Sequence, residues 1–314
     1  MNAVALDRTA DNSAWPEATP RLSVLIPYLN DDPCTLLHAL GREAEALGGT
    51  VEVVLLDDGS GDDALADRVI AAIHDSAIPA RSVRLFANEG RARGRNRLAA
   101  NARAGHLLFL DSDMLPDAPD FLVQWIDLVD RCDPAVAFGG FSLKQAPLVR
   151  EHALHRQMAM RSDCAGAEQR RLKPEKYVFT SNLMIRRAVF EAEPFDEGFK
   201  GWGWEDVEWG VRVSRRHPIV HVDNPATHLG LDPPMVIAAK YEQSAANFAR
   251  ILRAHPDIVH GYPSYKVARA LKLAPLRWAW RPLLKALALT EQAPLPMRAF
   301  CMRLYRAAVC AEAI

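Results

Sequence analysis

Two acidic clusters in this sequence sit where an apolar run ends, which is where side chains can do chemistry at the mouth of a sheet. Asp111-Ser112-Asp113 follows the run His106–Leu110. Carboxylates two residues apart in an extended segment point the same way. They could share one hard cation, Mg²⁺ or Mn²⁺, which takes one or two carboxylates and completes its shell with water and phosphate oxygens. The alternative reading is a solvated turn capping the next helix. Asp57-Asp58-Gly59-Ser60 closes a second apolar run, and like charges converging on one cleft need a cation or donors to satisfy them. Asn88-Glu89-Gly90, followed by Arg91, Arg93, Arg95, Asn96 and Arg97, supplies counter-charge at the start of a basic helix. Arginine forks and helix N-termini both suit diphosphate, although such arginines also make solvated faces.

A third cluster, FKGWGWEDVEWGVRV (Phe199 to Val213), places Glu205, Asp206 and Glu208 among Trp202, Trp204 and Trp209. These acids either cap a helix or form the edge of a site. His228, in NPATHLG, lies in a loop beyond a strand, and its role depends on whether that loop folds back to Asp111–Asp113. His217 and His221 read as structural. His152 and His155 share a helical spacing of three but have no evident third ligand.

The elements that must hold these residues alternate from Arg21 onward. Strands are predicted in RLSVLIPYLN, VEVVLLDDGS, SVRLFAN and HLLFLDSDMLP, with helices over Thr35–Leu47 and Ala64–His74 and a basic helix through GRARGRNRLAANARAG. That order implies parallel βαβ units in a sheet covered on both faces, with ligands collecting at the carboxyl ends of the strands. FLVQWIDLVDRC then reads as a helix, AVAFGGFSL as a strand, and Arg150–Lys176 as a helix with a mobile loop. YVFTSNLMIRRAVF reads as a strand with a helix start, HPIVHVDNPATHLG as a strand and loop, and the chain beyond Pro233 as helical. Residues 1–20 read as a disordered lead-in, with a catalytic domain over 21–234 and a helical extension over 235–314.

Charge is nearly balanced, at net −1 over 314 residues. That excludes the basic footprint nucleic acid requires. Five scattered cysteines without a CxxC pair point to reduced thiols and a cytoplasmic setting. No run approaches the roughly 20 apolar residues of a membrane span.

Taken in order, SVLIPYLN, VVLLDDGS, NEGRARGRNRLA, LLFLDSDM and SNLMIRRAVFEAEPFDEGFKGWGWED resemble the nucleotide-sugar-dependent glycosyltransferases of family 2, with the GT-A fold. The resemblance covers roughly Arg21 to Leu231. FDEGFKGWGWED is also similar to the WGGED or WGxED segment of galactosyl- and N-acetylgalactosaminyltransferases, with Trp204 standing where a second glycine is common. The resemblance implies a mostly parallel Rossmann-like sheet and a UDP-sugar donor bound by Pro27, Leu29 and Asp31. It also implies that Asp58 accepts from the uracil, Arg95 lies near the diphosphate and Asp111 contacts ribose or sugar. It implies a Mn²⁺ or Mg²⁺ ion on Asp113 and His228, and Asp206 as catalytic base in an inverting, in-line transfer to a glycan or glycoconjugate hydroxyl. Glu205 would hold the acceptor, and Trp202 or Trp204 would stack on a sugar ring. A transferase for another nucleotide sugar and a catalytically silent sugar-binding scaffold are the alternatives. A nucleotidylyltransferase is disfavoured because PYLNDDP lacks the Gly-rich loop it needs.

From Tyr262 the charge turns basic, through Lys266, Arg269, Lys272, Arg277, Arg281, Lys285, Arg298, Arg303 and Arg306, with Trp278 and Trp280 interleaved among leucines. Such a stretch suits peripheral contact with an anionic membrane, and equally a packed helical subdomain with a solvated basic face.

Overall fold

The computed structural model describes residues 7–314, the side chain of Arg277 excepted. The chain forms two compact units. One runs up to Ala146 and takes in Cys164–Glu197 and Trp209–Gly230; the other is Pro147–Asp163, Gly198–Glu208 and Leu231–Ile314. The expected single boundary after residue 234 is therefore corrected, because two earlier segments belong with the C-terminal helices.

The first unit is built on an eight-stranded sheet. Its strands are β1 (Arg8–Asp11), β2 (Leu22–Tyr28), β3 (Val51–Asp57), β4 (Ala80–Arg84), β5 (His106–Phe109), β7 (Val136–Phe138), β9 (Leu183–Arg186) and β10 (Ile219–His221), in the order β1-β4-β3-β2-β5-β9-β7-β10. β2 to β5 are mutually parallel, joined by helices Cys34–Gly41, Asp63–Asp75 and Arg91–Asn101. β9 runs antiparallel between β5 and β7. β2 and β3 are mostly Val, Leu and Ile and are buried almost throughout, as strands covered on both faces must be, and the buried polar pair within them is satisfied by Ser23 Oγ donating to Glu52 Oε1 at 2.7 Å. A second, three-stranded sheet joins β6 (Met114–Pro116), β11 (Ala226–His228) and β8 (Phe141–Ser142) in the order β6-β11-β8. The expected strand AVAFGGFSL is thus split between the two sheets at Gly139-Gly140.

Two further expectations are corrected here. Residues 7–20 are not a loose lead-in: β1 pairs antiparallel with β4. Asn12 Nδ2 donates to the carbonyls of Ile73, Ser76 and Ile78, while its Oδ1 accepts from Ala80 N. Trp15 is buried, with the Arg81 and Arg103 guanidinium carbons 4.6 and 3.8 Å from its ring centroid. A low-hydrophobicity segment is held by polar saturation and cation–π contact, neither of which shows in composition. Residues 1–6 of the predicted lead-in lie outside the described residues. The stretch Arg150–Lys176, expected to contain a mobile loop, forms helices Ala153–Ser162 and Ala167–Arg171 and short 3-10 turns. Its part from Cys164 onward is pinned by buried Arg170, which donates to the carbonyls of Ala165, Gly139 and Val222.

The second unit is helical. Helices Pro234–Gln243, Ala245–Ala254, Pro263–Leu273 and Arg277–Leu289 surround Leu295–Ala313, whose buried face carries Met302, Tyr305 and Val309. Among the described residues, no helix is long and apolar enough to cross a membrane.

Candidate active site

The carboxyl ends of β2, β3 and β5 bring the predicted acids of the first unit together. After β3, Asp57 is fully buried, accepts from Ser60 N at 2.7 Å and pairs with Arg84 at 3.3 Å. Asp58 accepts from the backbone N–H groups of Glu89 and Gly90, at 2.8 and 3.0 Å. Burial pushes the Asp58 carboxyl above its ordinary range, the two amide bonds opposing it. Those amides belong to the loop after β4, so Asp58 fastens one strand end to the next. Asn30 N donates to Ser60 Oγ at 2.7 Å, which closes the same rim from the β2 side. Pro27 is half-buried there, while Leu29 and Asp31 are exposed.

After β5, Ser112 Oγ donates to Asp31 Oδ2 at 2.7 Å. Asp111 takes Arg95 on one oxygen, at 3.0 Å, and the Ser181 hydroxyl on the other, at 2.8 Å. Burial pushes the Asp111 carboxyl up, but Arg95, Arg91 and the Ser181 bond outweigh it and hold it below its usual value. Arg95 is itself only 1% exposed. Arg95 acts on the cleft by fixing Asp111. Arg93 and Arg97 are drawn off by Glu89. They belong to the solvated-face reading.

Asp113 meets His228. β11 pairs antiparallel with β6 so that His228 lies opposite Met114, and Leu229 N donates to Asp113 O at 2.9 Å. His228 Nε2 stands 3.1 Å from Asp113 Oδ2, whereas Asp113 Oδ1 is buried with no hydrogen-bond partner. His228 thus lies at the end of a strand rather than in a loop, and it does reach back to the acids. Gly230 is required for this approach, since a Cβ there would overlap the Asp113 carboxylate. An imidazole beside a carboxylate with an orphaned buried oxygen is a donor set suited to a divalent cation whose remaining positions go to water and phosphate. Among the described residues no group of three His, Cys, Asp or Glu forms a complete cage.

Ser181, Asn182 and Thr227 were not singled out from the sequence. Asn182 Nδ2 donates to the carbonyls of Gly140 and Asn224, at 2.9 Å each. Thr227 Oγ1 bonds Asp117 at 2.6 Å and lies 2.8 Å from Ser142 Oγ. The one local signal was the polar pair Ser181-Asn182 entering a strand, with no helix to cap.

In the second unit, Gly201, Gly203 and Trp204 all have positive φ, 69°, 87° and 76°. Helix Glu205–Ser214 follows, with Glu205 buried and Asp206 half-buried in its first turn. Asn247 Nδ2 bridges the carbonyls of Lys200 and Gly203, at 2.8 and 2.9 Å. Trp204 is buried, its ring centroid 4.9 Å from that of Phe248, with the Arg306 guanidinium carbon 4.9 Å from the ring centroid. Its ring is already packed on both counts, so Trp204 is corrected from a sugar platform to a core residue. Trp202 is half-buried, tilted 50° against Tyr241. Glu208 pairs with buried His255 at 3.2 Å; Trp209, which begins the part of this helix that belongs to the first unit, is fully buried.

With this geometry in place, comparison with known proteins is decisive for the family. The family model for glycosyl transferase family 2 matches residues 23–193. The chain belongs to that family. It is 23% identical to the uncharacterized glycosyltransferase YfnE of Bacillus subtilis, in an alignment that covers 62% of this chain and only 60% of that protein's length. Its fold is similar to that of a Pyrobaculum calidifontis mannosyltransferase solved with GDP-Man and Mn²⁺ (TM-score 0.58, 17% identity, 97% of this chain and 89% of that one). It is also similar to residues 1–349 of S. aureus TarS in complex with UDP (TM-score 0.53, 15% identity, 93% and 90%). A third neighbour is the glucosyl-3-phosphoglycerate synthase of Mycobacterium tuberculosis solved with Mn²⁺, UDP-Glc and phosphoglyceric acid (TM-score 0.52, 20% identity, 75% and 79%). The fold is GT-A, a central sheet flanked by helices, with a helical C-terminal part.

Proposed function

We propose that this glycosyltransferase moves a sugar from a UDP-sugar to a hydroxyl of a glycan or glycoconjugate, with inversion and with a divalent cation. The observation that carries the reading is Asp113 facing His228 with one carboxylate oxygen buried and unsatisfied. Asp113 and His228 would hold the ion, which would supply Lewis-acid stabilisation of the charge developing on the diphosphate. Asp111, kept ionised by Arg95, accepts from a ribose or sugar hydroxyl. Asp58 offers remaining lone pairs to the base, with Pro27, Leu29 and Asp31 along the same rim.

Asp206 would take the proton of the acceptor hydroxyl, a poor nucleophile without a carboxylate within hydrogen-bond reach. Attack on the face opposite the departing diphosphate inverts the anomeric centre. Support for Asp206 comes from the similarity of Gly201–Asp206 to the WGxED segment and from its half-buried place in the first helical turn. Glu205 and Trp202 are the proposed acceptor contacts. A GDP-sugar is the second reading, since the Pyrobaculum neighbour was solved with GDP-Man.

The test is thermal stabilisation by UDP and by GDP, each with and without Mn²⁺. The expected result is stabilisation by UDP that requires Mn²⁺ and is lost in Asp113→Ala. Metal-independent stabilisation would remove Asp113 and His228 as ligands, and a stronger effect of GDP would reassign the donor.

A further inference from the structure

Helix Arg277–Leu289 has one face packed on Leu295–Ala313 through Leu284 and Ala288, both buried. Its opposite face is Trp278, Pro282, Leu283, Ala286 and Leu287, every one exposed and none polar. At roughly 100° per residue these five side chains cover about half the helix circumference. A solvated helix face normally carries charge, and an exposed apolar stripe this broad marks an interaction surface. The stripe is extended by the preceding turn, where Leu273 and Leu276 are 75% and 66% exposed; Trp278 itself is 76% exposed.

The charge around the stripe identifies the partner. Between Tyr262 and Thr290 the sequence holds six Lys and Arg and no Asp or Glu. Arg281 and Lys285 are taken up by Glu242 and Glu312, and Lys272 reaches the Ile314 carbonyl. Lys266 and Arg269 stand exposed on helix Pro263–Leu273, on the same side as Leu273. Beneath Trp278, a groove of about 310 Å³ is walled by Leu271, Trp280, Ala308 and Ala311, with Lys272 and Glu312 also lining it. An apolar stripe bearing tryptophan, on a segment whose charges are all cationic and where Lys266 and Arg269 stand exposed, matches a bilayer interface with anionic headgroups.

We propose that the face formed by Trp278, Leu283 and Leu287, with Leu273 and Leu276, docks on an anionic lipid surface. The helix lies in the interface plane, Trp278 enters at headgroup depth, and Lys266 and Arg269 contact lipid phosphates. None of this depends on the donor or acceptor assignments above.

The experiment is co-sedimentation of the full chain with phosphatidylcholine vesicles containing phosphatidylglycerol, against vesicles of phosphatidylcholine alone. The expected result is binding at least about tenfold stronger to the anionic vesicles, weakening as salt is raised. Lys266→Glu with Arg269→Glu should reduce it by about tenfold or more. Trp278→Ser with Leu283→Ser and Leu287→Ser should abolish it and leave the thermal melt in place, since those side chains are exposed. Trp278→Ser alone, with a partial loss, serves if the triple variant folds poorly. Equal binding to neutral vesicles, no binding to either, or wild-type binding by the serine variants would overturn the proposal. A dimer in sedimentation velocity that the serine variants dissolve would assign the face to a second copy of the chain and overturn it equally.

Discussion

The cleft of the first unit and the Gly201–Asp206 segment of the second are both rich in acids, yet they are built by opposite means. In the cleft each carboxylate is fixed by named donors: amides for Asp58, Arg95 and Ser181 for Asp111, an imidazole for Asp113. In the segment the backbone is fixed first, by three positive φ angles and by Asn247, and the acids follow from where the helix then begins. Residue type therefore announces the role in the cleft and conceals it in the segment. There the showiest residue, Trp204, packs a core.

The comparison assigns chemistry of different kinds to the two regions, and Asp206→Asn is the substitution that would break it. The expected loss in transfer rate is roughly 10²- to 10⁴-fold, with Mn²⁺-dependent stabilisation by UDP unchanged. Initial-rate assays beside thermal melts read both quantities. An unchanged rate would leave the segment with no catalytic part.

Trp204 sharpens the other side of the contrast. Trp204→Ala should destabilise the protein by roughly 3–5 kcal/mol, the range for large aromatics removed from a core. Trp204→Gly should lose less, by up to about 1 kcal/mol, because φ of 76° costs a residue with a Cβ and not glycine. Urea denaturation of the pair measures the difference. A glycine variant less stable than the alanine one would show that the left-handed turn carries no strain.

How much was legible follows the same line. The parallel strands β2 to β5 were readable because strands buried on both faces are continuous apolar runs, and the acids after them announce the ligand edge. β1, the fixed Ala167–Arg171 helix and the junction at Gly139-Gly140 were not readable. Each depends on one polar side chain reaching far along the chain, as Asn12 reaches Ile73 and Ala80 and as Arg170 reaches Gly139 and Val222. The pairing of Asp113 with His228 was visible only as a condition, since a separation of 115 residues cannot be closed by pattern. The bond from Arg95 to Asp111 was not legible, because spacing does not say which anion a guanidinium will meet.

His221 tests the polar frame behind the cleft. It is buried beside Arg170, whose Nε donates to its Nδ1 at 3.3 Å, and its Nε2 faces the Pro174 carbonyl at 3.2 Å. Burial, then the neighbouring Arg170 and Arg171 against the Pro174 bond, lowers its pKa from 6.5 to about 4. The folded state thus resists a proton the unfolded chain accepts. Stability from this group is complete above pH 6.5 and declines as pH falls to about 4, by an amount on the order of 3 kcal/mol. His221→Gln should flatten that part of the stability–pH curve while lowering stability at neutral pH. An unchanged acid limb would mean that other groups set it.

Gly230→Ala asks whether the cleft depends on close approach as well as on donors. Gly230 has no Cβ, and that absence leaves room for the Asp113 carboxylate beside the chain that carries His228. An added methyl must displace either the carboxylate or the loop, and both routes separate Asp113 from His228. The first unit's sheet and core are untouched, so the melting temperature should change little. Displaced ligands typically lower metal affinity by about 10- to 100-fold. The measurement is a Mn²⁺ titration of the stabilisation by UDP, with Asp113→Ala as the reference for complete loss. An alanine variant with wild-type Mn²⁺ dependence would mean that the ion lies elsewhere on the rim. The cleft would then resemble the second-unit segment, in that its most conspicuous pair would be holding structure together.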